Sequence, residues 1–267
     1  MLRRVGTLAL ALVTVGSVGT PAAWASAGPS NDTLSGAKAI TALPYDDSVT
    51  VDKATTDAND SALNATCGAP ATLGSIWYTF TAPAGLDGLV VDVSRSTYSS
   101  GVIVAEPDGS GGLVVDTCGP GTVGMTVQAG VTYTLLAFND TPGSTGGQIV
   151  LHAEAATIPT IAVTMNKTAK VDHYGNALVS GTYTCTNGTD VQLDTSLSQS
   201  VGRVTISGEG FSDVAVCDGA VHPWSVLVTP YNGKFAGGKS AAATDGFTCG
   251  NFFCNDSFVQ QTVKLSK

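Results

Sequence analysis

Three side chains that could act together chemically lie within six positions: the Cys217 thiol, the Asp218 carboxylate and the His222 imidazole. A cysteine nucleophile attacks as a thiolate, with a base beside it and a third group orienting that base. The same stretch, Val216–Trp224, also reads as structure. Asp218-Gly219 is a strong turn signal, and Trp224 shares a strand face with His222 and can anchor a core. Cys217 would then be half of a disulfide, because the six cysteines (Cys67, Cys118, Cys185, Cys217, Cys249 and Cys254) are even in number. An even count in an exported chain reads as a disulfide framework, which leaves no free thiol.

Two further strings look catalytic but lack a mechanism. Asp108-Gly109-Ser110-Gly111-Gly112 surrounds a serine with glycines, yet a serine nucleophile needs a base and an orienting group. Beyond residue 27 the histidines are His152, His173 and His222, and none stands out as its partner. Asp and Gly in this order make a hairpin turn. Gly119-Pro120-Gly121-Thr122-Val123-Gly124 matches a dinucleotide fingerprint as a string, but that motif works through a helix N-terminus. Here Met125 opens another strand.

Binding groups are better represented. Asn31, Asp32, Asp57 and Asp60, with Asp46 and Asp47, are oxygen ligands on which a calcium ion could draw. Their spacing fits no EF-hand loop, and solvated or turn-capping acids are the ordinary reading. Calcium is the one cofactor the sequence suggests. Tyr78, Tyr98, Phe252 and Phe253 are candidate exposed rings for a ligand. Trp77 and Tyr78 alternate on one strand, which sends one ring inward and one outward. Phe252-Phe253 would sit at a rigid tip if Cys249 and Cys254 pair; the rings would line a cleft there or fill a local core.

Short strands must position these groups. The chain has 32 glycines, few charges and abundant Thr and Val, with no 15-residue window of helical periodicity. Apolar or alternating runs recur at Ile76–Thr81, Leu89–Ser94, Gly101–Glu106, Leu113–Thr117, Met125–Gln128, Thr132–Asn139 and Gly147–Glu154. A second set comprises Ile161–Met165, Asn176–Thr186, Asp190–Ser198, Arg203–Ser207, Asp213–Cys217, His222–Thr229, Lys239–Asp245 and Val259–Leu265. Turn residues every 8–12 positions indicate sandwiches or barrels. The expected fold is all-β: two tandem β-sandwich domains, residues 28–154 and 161–267, joined by an Ala- and Pro-bearing linker at 155–160. Within this division Cys67 pairs with Cys118, and the other four cysteines allow three pairings. Cys185–Cys217 with Cys249–Cys254 is favoured, because four intervening residues suit a bridge across a hairpin end.

Residues 1–27 carry Arg3-Arg4, an apolar run and Ala25-Ser26-Ala27, the pattern of a cleaved signal peptide. Its composition looks bacterial, so the Asn-x-Ser/Thr sequons are discounted. The chain is read as secreted and extracellular, with no membrane span. Its formal charge of −9 argues against nucleic acid, which needs a basic face. The acids concentrate in the first half, where they keep a Gly/Thr/Val-rich surface soluble. A monomer is expected.

Two resemblances add to this reading. Asn31-Asp32, Ala37–Ile40, Leu43-Pro44, Ser75-Ile76-Trp77-Tyr78-Thr79-Phe80 and Ala129–Ala137 follow one another as in the bacterial pre-peptidase C-terminal domain. The resemblance spans residues 31–154 and implies a non-catalytic β-sandwich that accompanies secreted enzymes and sometimes binds calcium or substrate. Tyr98-Ser99-Ser100-Gly101 departs from that family's usual Asp-Thr, and no protease domain accompanies it. Residues 161–267, through Ser180–Cys185, Gln199, Cys217–Trp224, Phe235–Lys239 and Cys249–Cys254, resemble uncharacterised actinomycete-type secreted domains, which implies an immunoglobulin-like sandwich. They are more weakly similar to the enediyne-binding apoproteins. The expected function is therefore non-enzymatic: binding or adhesion to an extracellular polymer or surface. A small-ligand carrier is the alternative, and a secreted hydrolase comes third.

Overall fold

The computed structural model describes residues 28–69, 73–141, 146–214 and 216–267. The expected signal peptide lies outside them. Among the described residues the chain is all-β apart from one α-helix and one short 3-10 turn.

The first half contains β1 (Lys38–Ile40), β2 (Tyr45–Thr50), α1 (Ala58–Cys67), β3 (Leu73–Thr81), β4 (Gly88–Asp92), β5 (Ser100–Pro107), β6 (Leu113–Pro120), β7 (Thr122–Thr126), β8 (Thr132–Asn139) and β9 (Gln148–Ala156). Two sheets, ordered β1-β3-β8-β5-β6 and β2-β9-β4-β7, enclose a core that includes Ile76, Tyr78, Phe80, Leu89, Val104, Leu135 and Leu151. Helix α1 covers the opposite face of the five-stranded sheet. Its Leu63 packs there with Trp77, Ile103, Leu136 and Phe138.

This third layer corrects the expectation for Tyr78. Strand alternation does send Trp77 and Tyr78 to opposite faces, but both faces are covered and neither ring is exposed. Sheets buried on both sides carry near-continuous apolar strands, as β5 and β8 do. The helix itself was not expected. It spans only ten residues, with Leu63 and Asp60 its buried positions, so its periodic signal is faint. Its ends are nevertheless well marked: Asp57 and Asp60 form a reciprocal capping box, and Gly68 closes the C-terminus in the left-handed region.

The second half contains β10 (Thr160–Met165), β11 (Thr168–Val171), β12 (Ala177–Thr186), β13 (Val191–Val201), β14 (Val204–Val214), β15 (Val221–Pro230), β16 (Gly238–Cys249) and β17 (Cys254–Ser266). The layers β10-β12-β15 and β14-β13-β16-β17 face each other across Val179, Leu193, Leu197, Trp224, Val226 and Val263. They are joined at both edges. Strand β11 pairs with β12 on one side and with β17 on the other, while β14 pairs with β15. With the β12–β15 pairing, seven strands close into a flattened barrel.

The sequence suggested two strands, Arg203–Ser207 and Asp213–Cys217, where one continuous β14 is found. The intervening Gly208 and Gly210 look like a break. They are required instead by close approach, since a Cβ at either would collide with the β15 backbone at Thr229 or Leu227.

Candidate binding surface

The reactive-looking groups of Val216–Trp224 have separate structural partners. Cys217 is bonded to Cys185, Cys67 to Cys118 and Cys249 to Cys254, and no described cysteine is free. Asp218 Oδ1 accepts from the Ala220 N–H at 2.9 Å, which fastens the turn. The same oxygen lies 2.7 Å from His222 Nε2. That hydrogen bond, followed by the one from Ala220, holds the Asp218 carboxyl below its ordinary range. Trp224 is buried and its Nε1 donates to the Thr164 carbonyl at 3.0 Å. An imidazole–carboxylate pair is present, but the thiol is bonded away. Ser110 gains no base either. Its hydroxyl and its N–H both turn to Asp108 Oδ1, within a hairpin between β5 and β6. Gly119–Gly124 runs from the end of β6 into β7 with no helix.

The calcium candidates are likewise engaged within the fold, four with backbone and two with other side chains. Asn31 is buried and its Nδ2 donates to the Trp77 carbonyl at 3.1 Å. Asp32 accepts from Thr55 N and Thr55 Oγ1 at 2.6 and 2.9 Å. Asp57 Oδ1 accepts from Asn59 N and Asp60 N, and Asp60 Oδ2 accepts from Asp57 N at 2.6 Å. Asp46 pairs with His152 and Arg95, and Asp47 with Lys38 and the Tyr78 hydroxyl. Calcium needs six to eight converging oxygens. These residues do not fit it, and among the described residues no group of three or more His, Cys, Asp or Glu converges on a point.

The four candidate rings do not form one site. Tyr78 is in the first core, with burial pushing its hydroxyl up. Tyr98 is half-buried against that core, its hydroxyl enclosed. Phe252 and Phe253 sit on the Cys249–Cys254 tip beside β4 and β7 of the first sandwich, where the nearest glycines, Gly88 and Gly124, leave room for them.

A different set of aromatics is exposed together. Strands β14, β13, β16 and β17 turn one face of their sheet to solvent. Register places Asp213, Gln192, Phe247 and Asp256 in one row across it. The next row is Phe211, Asp194, Asp245 and Phe258. Phe211 is 77% exposed, Phe258 62% and, at the β14 edge, Tyr231 68%. Burial, then the charges of Asp256 and Asp194, raises the Asp245 pKa. At the β13–β14 edge a hollow of about 570 Å³ opens between Asp194, Glu209, Phe211, Asp213 and Tyr231, and the Tyr231 hydroxyl donates to Glu209. Such a surface offers ring faces for apolar contact and carboxylates for hydroxyl or amine donors.

The sequence held a clue to this face. Asp245 and Phe247, like Asp256 and Phe258, share strand parity. What could not be read locally is which parity points out. The inner face of β16 is taken by Ala242, Thr244, Gly246 and Thr248, and Thr244 is hydrogen-bonded to Thr195 at 2.9 Å in the interior.

Residues 159–245 match a family of unknown function (DUF6299). A comparison with curated proteins finds no match. Among solved structures, the chain is similar to a GH2 β-galacturonidase from Eisenbergiella tayi (12% identity, 72% of this chain and 35% of that one, TM-score 0.23). It is also similar to an FMN-binding β-glucuronidase from Facaelibacterium prausnitzii (13%, 72% and 32%, 0.26). A third is a β-D-mannosidase from Dictyoglomus thermophilum (6%, 72% and 29%, 0.25). The chain spans about a third of the length of these enzymes, and likeness at these TM-scores carries no argument about activity.

Proposed function

We propose that the protein is a secreted, non-catalytic module that binds an extracellular polymer or surface through the hollow beside Phe211 and Tyr231. The observation that carries this reading is the exposure of both rings, 77% and 68%, next to Asp194, Glu209 and Asp213. Aromatic rings left in water, Phe211 on β14 and Tyr231 just past the end of β15, cost free energy in the unbound protein that a partner would recover. Three disulfides suit an oxidising compartment, and no described helix is long and apolar enough to cross a membrane. By its resemblance to the pre-peptidase C-terminal domain, the first sandwich serves as an accessory to the same binding.

The test is retention on insoluble polysaccharides and on collagen, with Phe211→Ala/Tyr231→Ala as control. Retention of the wild type and loss in the variant is the expected result. A wild type that passes through every matrix sinks the proposal, and labelling by active-site-directed serine or cysteine probes would overturn its non-catalytic part.

A second reading, a small-ligand carrier, is favoured by the size of the hollow, which falls within the ~300–1,000 Å³ of small-molecule sites. Native mass spectrometry of protein purified from its host separates the two. A co-purifying small molecule that is absent from the Phe211→Ala variant selects the carrier.

A further inference from the structure

We infer that a second copy of this chain docks on the β16–β17 face, with the two copies related by a two-fold axis running across the strands. Along β17 the outward residues are Asp256, Phe258, Gln260, Thr262 and Lys264. Their partners on β16 are Phe247, Asp245, Ala243, Ala241 and Lys239. Acids and rings therefore hold one end of this ladder, small and neutral residues its middle, and two lysines the other end. No ion pair within the described chain uses Asp256, Asp245, Lys239 or Lys264.

Two identical sheets can stack face to face about a two-fold axis in two ways. With the axis along the strands, rows meet rows of the same level: Lys239 faces Lys264, and the acidic ends coincide. With the axis across the strands, each strand faces its own reverse. Asp256 then meets Lys264, and Phe247 meets Lys239, a cation over a ring. Phe258 meets Thr262 and Asp245 meets Ala241, so large groups lie opposite small ones. Gln260 and Ala243 sit at the axis. The face is self-complementary in this arrangement alone, as an isologous interface requires.

The area sets the strength. Five rows spaced by roughly 6.6 Å and two strands spaced by roughly 4.8 Å give about 300 Å² per partner. That is less than half of the ~800 Å² of a standard interface, so the dimer is weak and concentration-dependent. In this arrangement Glu209 would face Glu209, which keeps β14 and its hollow outside the contact. The dimer therefore goes beyond the proposed ligand reading, and its test leaves Phe211 and Tyr231 untouched, so either can fail alone.

Sedimentation of the protein from low micromolar to roughly 1 mM should show a reversible monomer–dimer equilibrium, as expected for a Kd in that range. Lys264→Asp and Asp256→Lys should each weaken it at least tenfold, and the double variant should restore it. Far-UV circular dichroism and melting temperature confirm that each variant is folded. A wild type that stays monomeric throughout overturns the inference. So does a dimer indifferent to the single reversals, or a double variant that is not restored.

Discussion

The ring of Phe253 occupies the space beside Gly88 where another residue would carry its Cβ: an atom built there stands 3.0 Å from Phe253 Cε2. Gly124, on the neighbouring strand β7, leaves similar room, with its Cβ position 3.4 Å from Phe253 Cζ. The two glycines make a shallow seat on the first sandwich for the disulfide-closed tip of the second. The tip rings, expected to line a cleft or fill a local core, do line a small hollow of about 260 Å³ with Glu154, Thr157 and Asn187, and the Phe253 ring also meets the neighbouring sandwich. Phe253→Ala should loosen this joint while both sandwiches stay folded. Limited proteolysis should then cut faster at residues 157–159, the short stretch between β9 and β10. Cleavage at the wild-type rate would show that the ring does not hold the joint.

Asp60 makes the stability depend on pH. Burial, opposed by the hydrogen bond from Asp57 N and assisted by the charges of Asp57 and Asp32, raises its pKa to about 6. In the unfolded chain an aspartate titrates near ~4. A folded-state pKa above the unfolded one means that the native state binds the extra proton. Its contribution is therefore full below about pH 4 and lost as pH rises through about 6. Asp60→Asn carries no such proton. The stability of the wild type relative to this variant should rise by about 2–3 kcal/mol from pH 7 to pH 4. Denaturant titrations of both proteins at the two pH values measure the change; equal shifts would refute the assignment.

The Cys185–Cys217 bond closes a loop with a sequence separation of 32, and Cys185 is buried in the second core. By loop-closure entropy, its removal as Cys185→Ala/Cys217→Ala should cost about 3–4 kcal/mol. The Cys249–Cys254 bond spans five positions and should matter less to global stability. Urea midpoints of the two double variants would show the order.

Trp224 ties β15 to the opposite edge of its layer by donating to the Thr164 carbonyl on β10. Trp224→Phe keeps a ring in the core but leaves that carbonyl without its donor. The expected loss is about 1–3 kcal/mol, with no change in disulfide pairing. The unfolding midpoint checks the first part and peptide mapping the second.

Alternation and turn residues were enough to place most strands. Thr132–Asn139 and Ala177–Thr186 are strands as their apolar spacing suggests, and the favoured cysteine pairings are those that form. The strands are local facts, set by side-chain period and by φ/ψ preference, whereas Cys67 and Cys118, 51 positions apart, were paired through the division into two sandwiches. The acids at Asp57 and Asp60 were visible too, but their role was not. A capping box and a metal ligand look alike until it is known whether a helix follows.

What the tertiary structure decided is which face of each strand meets water. Parity within a strand is a relative statement, and only the layers packed on a sheet make it absolute. Helix α1 buries Trp77 although Tyr78 already faces a core on the other side. In the second sandwich, the hydrogen-bonded pair Thr195–Thr244 goes inward while Phe211, Phe247 and Phe258 stay out. Hydrophobicity alone ranks those residues the other way. The hollow at Phe211 and Tyr231 and the graded face of β16 and β17 exist because two hairpins, β13–β14 and β16–β17, separated in sequence by β15, were brought into one register.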